Sequence, residues 1–195
     1  MSIDITSVNN GDTYIRQDVP SDNQGTNTTM SLQWYQPFIA TNHCLIQFLL
    51  PSTNLGNITQ IRLFLYNTGG NAGGADADLY TCNAFTESTV TFSSAPATIT
   101  LVSSIDASST TAGWRYWVVL GASATNSQNS LTWGNSQAFR IRFTAESGAT
   151  KGYFFNTKEY ITDTTLRPYL EITYSGVNSS NKIIKLQAVN RASTY

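Results

Sequence analysis

Apolar and polar residues alternate with a period of two along most of this chain, in short bursts separated by Gly, Asn, Ser and Asp. That period puts successive side chains on opposite faces of a pleated strand. Met30, Leu32 and Trp34 alternate with Ser31, Gln33 and Tyr35, and Phe139, Ile141 and Phe143 alternate with Arg140 and Arg142. Residues 43–50 form a more continuous apolar run closed by Pro51, which predicts a central strand covered on both faces. At 58–66, Ile61, Leu63 and Leu65 take one face and Phe64 and Tyr66 the other; at 114–120, Trp114, Tyr116, Val118 and Leu120 share a face. Further strands are predicted at 12–16, 77–84, 90–92, 99–105, 152–156 and 169–174, with a Gly-rich loop at 67–74. No 3.6-residue period is sustained for three turns, so the fold class is all-β. The spacing of the strands argues for two packed antiparallel sheets forming a β-sandwich.

Composition narrows the function classes. Of 195 residues only 12% are charged, against about a quarter in an ordinary soluble domain. The surface is therefore polar mainly through Ser, Thr, Asn and Gln, as on many extracellular and virion proteins. A net charge of -1 offers no basic field, so nucleic acid is not an expected partner. No apolar run approaches the roughly 20 residues of a membrane helix, and no membrane partner is expected. The opening Met-Ser-Ile-Asp-Ile-Thr has neither the basic start nor the apolar core of a signal peptide. The expected location is extracellular or on a virion surface, without a signal peptide in this chain. Cys44 and Cys82 are the only cysteines; a buried free thiol is the plainer reading of Cys44, and a single bridge is the alternative.

Several segments carry a family resemblance. Asp12-Thr13-Tyr14-Ile15 with Asn23 and Gly25, then Leu45-Ile46-Gln47-Phe48, then residues 63–66 look like the opening of a DNRLRE-type domain. Phe85-Thr86-Glu87-Ser88-Thr89-Val90-Thr91-Phe92 with Pro96 resembles that family's Trp-x-Glu-x-x-Val-Thr-Trp motif, with Phe in both Trp places. Gly113-Trp114, Phe155-Asn156-Thr157-Lys158-Glu159 and the run Arg167-Pro168-Tyr169-Leu170-Glu171 resemble its later signatures. The resemblance spans residues 12–174. It implies a jelly-roll-like sandwich related to carbohydrate-binding modules, of the kind found on secreted, cell-wall and phage-associated proteins, and it implies no catalysis. The family's Asp after the Gly-Trp strand is replaced here by an apolar residue near Val118.

Signals for chemistry are sparse. His43, the only histidine, has Asn42 and Cys44 as neighbours and no triad; Gly121-Ala122-Ser123-Ala124 lacks the closing glycine of a nucleophile elbow. No cofactor is expected beyond a structural calcium at Asp76 and Asp78, beside the Gly-rich loop, for which solvated turn carboxylates are the plainer reading. Glu87 and Arg167 are charges in otherwise uncharged signature segments, and a framework ion pair between them is expected. For sugar binding, the candidates are Tyr35, Trp133 and Trp34, with Arg140 and Arg142 as hydrogen-bond donors. Core packing is the plainer role for Trp34.

Three parts are expected: an arm at 1–11, the β-sandwich at 12–175, and a linker with a terminal strand at 176–195. In that strand Ile184, Leu186 and Ala188 share a face that needs covering, on this domain or on a neighbour as an assembly device. The leading functional expectation is a non-enzymatic sandwich on the exterior of a larger homo- or hetero-assembly, such as a phage capsid decoration or fibre component. The alternative is a carbohydrate-binding module that grips a polysaccharide or surface glycan through exposed aromatics.

Overall fold

The computed structural model describes residues 3–9, 11–36, 40–50, 57–71, 76–106, 111–120, 134–175 and 181–189. Among these the chain forms β1 (Ile3–Asn9), β2 (Gly11–Arg16), β3 (Thr29–Tyr35), β4 (Ala40–Leu49), β5 (Asn57–Asn71) and β6 (Asp76–Cys82). There follow β7 (Thr98–Asp106), β8 (Gly113–Leu120), β9 (Ser136–Phe143), β10 (Lys151–Asn156), β11 (Tyr169–Ser175) and β12 (Asn181–Val189). A single 3-10 turn, Thr164–Leu166, is the one helical element of the described residues. The expected all-β class holds.

The strands do not separate into two independently hydrogen-bonded sheets. They make one curled sheet in the order β1-β12-β11-β5-β10-β3-β4-β9-β6-β7, with β2 added to β4 and β8 to β5. Two strands that change partners along their length produce the continuity. β4 pairs with β3 through Ala40 to Asn42 and with β9 from Cys44 onward. β5 pairs with β11 and β8 in its first part and with β10 from Asn67 to Asn71. Every pairing is antiparallel except β1 with β12.

The curl follows from the alternation. Ile61, Leu63, Leu65, Leu170, Ile172 and Leu186 point inward from one wing, and Cys44, Ile46, Phe48, Phe139, Ile141 and Leu79 from the other; all belong to one core cluster. Burying each large side chain contributes about 1.5–3 kcal/mol, so closing the sheet on itself outweighs leaving its apolar face wet. Trp117 of β8, fully buried, donates its indole N–H to the Ala77 carbonyl of β6 at 2.9 Å and ties the wings together.

Three expectations are corrected. The 67–74 stretch is not all loop, because β5 runs on through Gly69 and Gly70 beside β10. Gly69 lies at φ +138, and a Cβ at Gly70 would collide with the Gly152 carbonyl oxygen; glycine alone allows this approach. Residues 90–92 are not a strand. They belong to a run of turns whose Val90, Phe85 and Phe92 cover Ile15 and Leu45 in a second, smaller cluster. Residues 3–9 are a strand and not merely an arm. Finally, of the two covers left open for Ile184 and Leu186, it is this domain and not a neighbour that supplies it: they are buried in the main core, with β12 hydrogen-bonded between β11 and β1 of the same chain. The side chain of Ala188 lies outside the described residues, although its backbone pairs with Val8. Cys44 and Cys82 are both buried free thiols.

Candidate functional site

On β5 the residues between the core positions are Arg62, Phe64 and Tyr66, and the period of two sends them to the outer face. Register then assembles a patch. Phe64 lies opposite Tyr116 of β8 on one side and Tyr169 of β11 on the other, and Tyr66 lies opposite Trp114. Phe64 stacks on Tyr169 with centroids 4.6 Å apart and planes 11° apart. Trp114 meets the edges of Tyr66 at 5.4 Å and Tyr169 at 5.1 Å. Tyr116 packs at 5.3 Å from Phe64 and still exposes 47% of its surface. Five rings thus form one band across three hydrogen-bonded strands.

Charged groups are fixed on the band. The Arg62 guanidinium lies 5.2 Å from the Phe64 centroid and 5.5 Å from that of Tyr116, and it is paired with the buried Glu171 carboxylate. The Lys185 ammonium lies 4.7 Å from the Tyr169 centroid. Burial, reinforced by the Glu171 charge, pushes the Tyr169 hydroxyl up to about 12. The band runs into a groove of about 450 Å³ between β7 and β8, lined by Ser103, Ser104 and Asp106 on one side and by Trp114, Arg115 and Tyr116 on the other.

Among the described residues, those chosen from sequence do not form such a patch. Trp34 is a core residue, 7% exposed, and its indole donates to the Gly148 carbonyl at 3.2 Å. Tyr35 is exposed and donates its hydroxyl to Gln33. Trp133 lies outside the described residues. Arg140 is committed to the fold: it donates to the Pro96 carbonyl at 3.0 Å and to His43 Nδ1. Arg142 lies 5.1 Å from the Tyr80 centroid. Asp76 and Asp78 are placed differently. Asp76 is exposed, while Asp78 is buried and accepts from Ser104, Thr144 and Tyr80 hydroxyls. Glu87 and Arg167 do not pair. Glu87 accepts from the Lys158 ammonium at 2.6 Å, and Arg167 Nε donates to the Tyr160 carbonyl at 2.8 Å.

His43 has both ring nitrogens engaged. Nδ1 accepts from Arg140, so Nε2–H donates to the Glu146 carboxylate at 2.5 Å. Burial, aided by the Arg140 charge against the pull of Glu146, holds its pKa below the usual histidine value. A histidine with a lowered folded pKa stabilises the fold above its unfolded value of about 6.5, and that stability is lost as the pH falls below it. His43→Gln is therefore expected to flatten the decline in Tm between pH 7 and pH 5. An unchanged slope would show that the fold does not lower the pKa of His43.

The sequence model of Carbohydrate-binding module family 96 matches residues 4–174. The chain belongs to that family. No curated protein matches the sequence of this module. Membership supports the relation to carbohydrate-binding modules that the motifs implied, and it favours the glycan-binding alternative over the virion reading, which neither the fold nor the family supports. The aromatic band was the part of the module that the sequence reading missed. Its signal was present in the charges: Arg62 and Glu171 share parity with Phe64 and Tyr169, which marks that side of β5 and β11 as the outer one.

Proposed function

We propose that the module binds a polysaccharide, without cleaving it, on the outer face of β5, β8 and β11. One observation carries this reading: a band of five packed rings on a hydrogen-bonded sheet, with Tyr116 still 47% exposed. Sugar rings present C–H faces that stack on aromatic faces, and their hydroxyls take hydrogen bonds from side chains held at the rim. Arg62 and Lys185 are placed to donate for the second task, and the buried Glu171 carboxylate, accepting from Arg62, fixes that guanidinium before any ligand arrives. The curled sheet is read as the two facing layers of a jelly-roll-like sandwich, whose core stays rigid while this outer face recognises glycan. The DNRLRE-type motif order fits the same reading, as does action outside the cell.

Affinity electrophoresis through gels containing neutral and acidic polysaccharides tests it. The wild-type module is expected to be retarded by at least one of them. Arg62→Ala should weaken that retardation about 5- to 10-fold, the loss of roughly 1–1.4 kcal/mol at an interface arginine. No retardation across the panel, or full retardation by Arg62→Ala, would count against the proposed face.

A further inference from the structure

Outside the aromatic band, three carboxylates from separate segments meet. Asp12 comes from β2, Glu87 from the turns after β6, and Glu159 from the turn after β10; one oxygen of each lies within 4.8 Å of the other two. Oxygens bound to one calcium ion at about 2.3–2.6 Å are separated by at most about 5 Å, so the three fit a common centre. Asp12 is 1% exposed, and its Oδ1 has no hydrogen-bond partner; Oδ2 accepts from the Lys158 backbone N–H at 2.8 Å. Glu159 Oε2 is likewise buried and unpartnered.

Lys158 does not balance the cluster. Its ammonium bonds both oxygens of Glu87 and Oε1 of Glu159, so it serves those two carboxylates and leaves the free oxygens of Asp12 and Glu159 unserved. Three ionised carboxylates against one ammonium leave an excess of two negative charges in a cluster whose Asp12 is fully buried and whose Glu87 and Glu159 are half-buried, which is costly unless a cation or protonation relieves it. Burial, together with the Glu159 charge, already holds the Asp12 carboxyl well above the usual carboxylate range. Donors that are all hard oxygens favour calcium, and magnesium is disfavoured where several waters cannot be kept.

We infer that Asp12, Glu87 and Glu159 form a structural calcium site that fastens β2 to the turns after β6 and β10. The sequence pointed to Asp76 and Asp78 for such an ion; the geometry points to this cluster. A cation here would act on the framework, so the inference does not depend on where, or whether, polysaccharide binds.

The test is a thermal melt of the full chain, stripped with EDTA and then given calcium chloride or magnesium chloride, with isothermal titration for stoichiometry. Calcium is expected to bind one ion per chain and to raise Tm by roughly 5 °C or more at saturation, with a smaller response to magnesium. Asp12→Asn and, separately, Glu159→Gln should each abolish that rise. Glu159→Gln guards against a folding defect, because Asp12 also accepts a backbone hydrogen bond. If calcium leaves Tm unchanged, or if both variants keep the full response, the site is not a calcium site.

Discussion

Replacing Lys158 with methionine is expected to lower the stability of the module by about 3–5 kcal/mol, the cost of breaking a buried ion pair by removing one partner. The Lys158 side chain is 7% exposed and lies against Glu87 and Glu159, themselves 21% and 12% exposed. Methionine fills the space but leaves those carboxylates, and Asp12 beside them, without their one ammonium. The damage should spread, because Glu87 also accepts the Asp12 N–H at 2.9 Å, and its carbonyl accepts from Asn23 at 2.6 Å. Urea unfolding measures the effect as a lower midpoint at an unchanged slope. For comparison, Arg16→Ala breaks the exposed pair with Asp18 and should cost less than about 1 kcal/mol. A Lys158→Met loss as small as that would mean the cluster is solvated or differently paired.

The second large effect concerns binding. Tyr116→Ala combined with Trp114→Ala removes the most exposed ring of the band and the ring that edges Tyr66, Phe64 and Tyr169. Aromatic anchors at interfaces each contribute more than about 1 kcal/mol, so the pair should weaken polysaccharide binding by about 2–3 kcal/mol, roughly 30- to 150-fold. Their side chains lie on the outer face of the sheet, whereas the inward residues of β8 are Trp117 and Val119. The double variant should therefore remain folded, with a cooperative melt. Tyr35→Ala, on β3, should leave affinity unchanged. The reverse pattern, with binding lost in Tyr35→Ala and kept in the double variant, would move the site to the face that the sequence suggested.

Much of the strand pattern was legible because a period of two is a local property. Residues 139–143 read correctly from five letters, since Phe and Arg alternate there and burial follows charge. What failed was non-local. β1 is stabilised by a parallel neighbour from the far end of the chain, and a six-residue opening does not announce that partner. In β5 both faces are apolar, so alternation separated Leu63 from Phe64 without saying which faced the core; Arg62 held the answer. Glu87 was singled out as a charge that needed a partner, and Arg167 was named for it. Its partner, Lys158, is set by where the turn after β10 crosses the turns after β6, which spacing along the chain does not show. Val90 to Phe92 misled because Val, Thr and Phe favour strands. Those residues cover the outer side of β2 and β4 as turns, anchored by the Asn23 amide on the Val90 carbonyl.

Amide chemical-shift mapping with a soluble oligosaccharide measures directly where glycan touches the module. Titration is expected to move resonances of Arg62, Phe64, Trp114, Tyr116, Tyr169 and Glu171 together along one binding curve, and to leave Trp34, Tyr35 and Arg140 in place. Saturable shifts confined to any other surface, with the β5, β8 and β11 face silent, would contradict the proposed binding face.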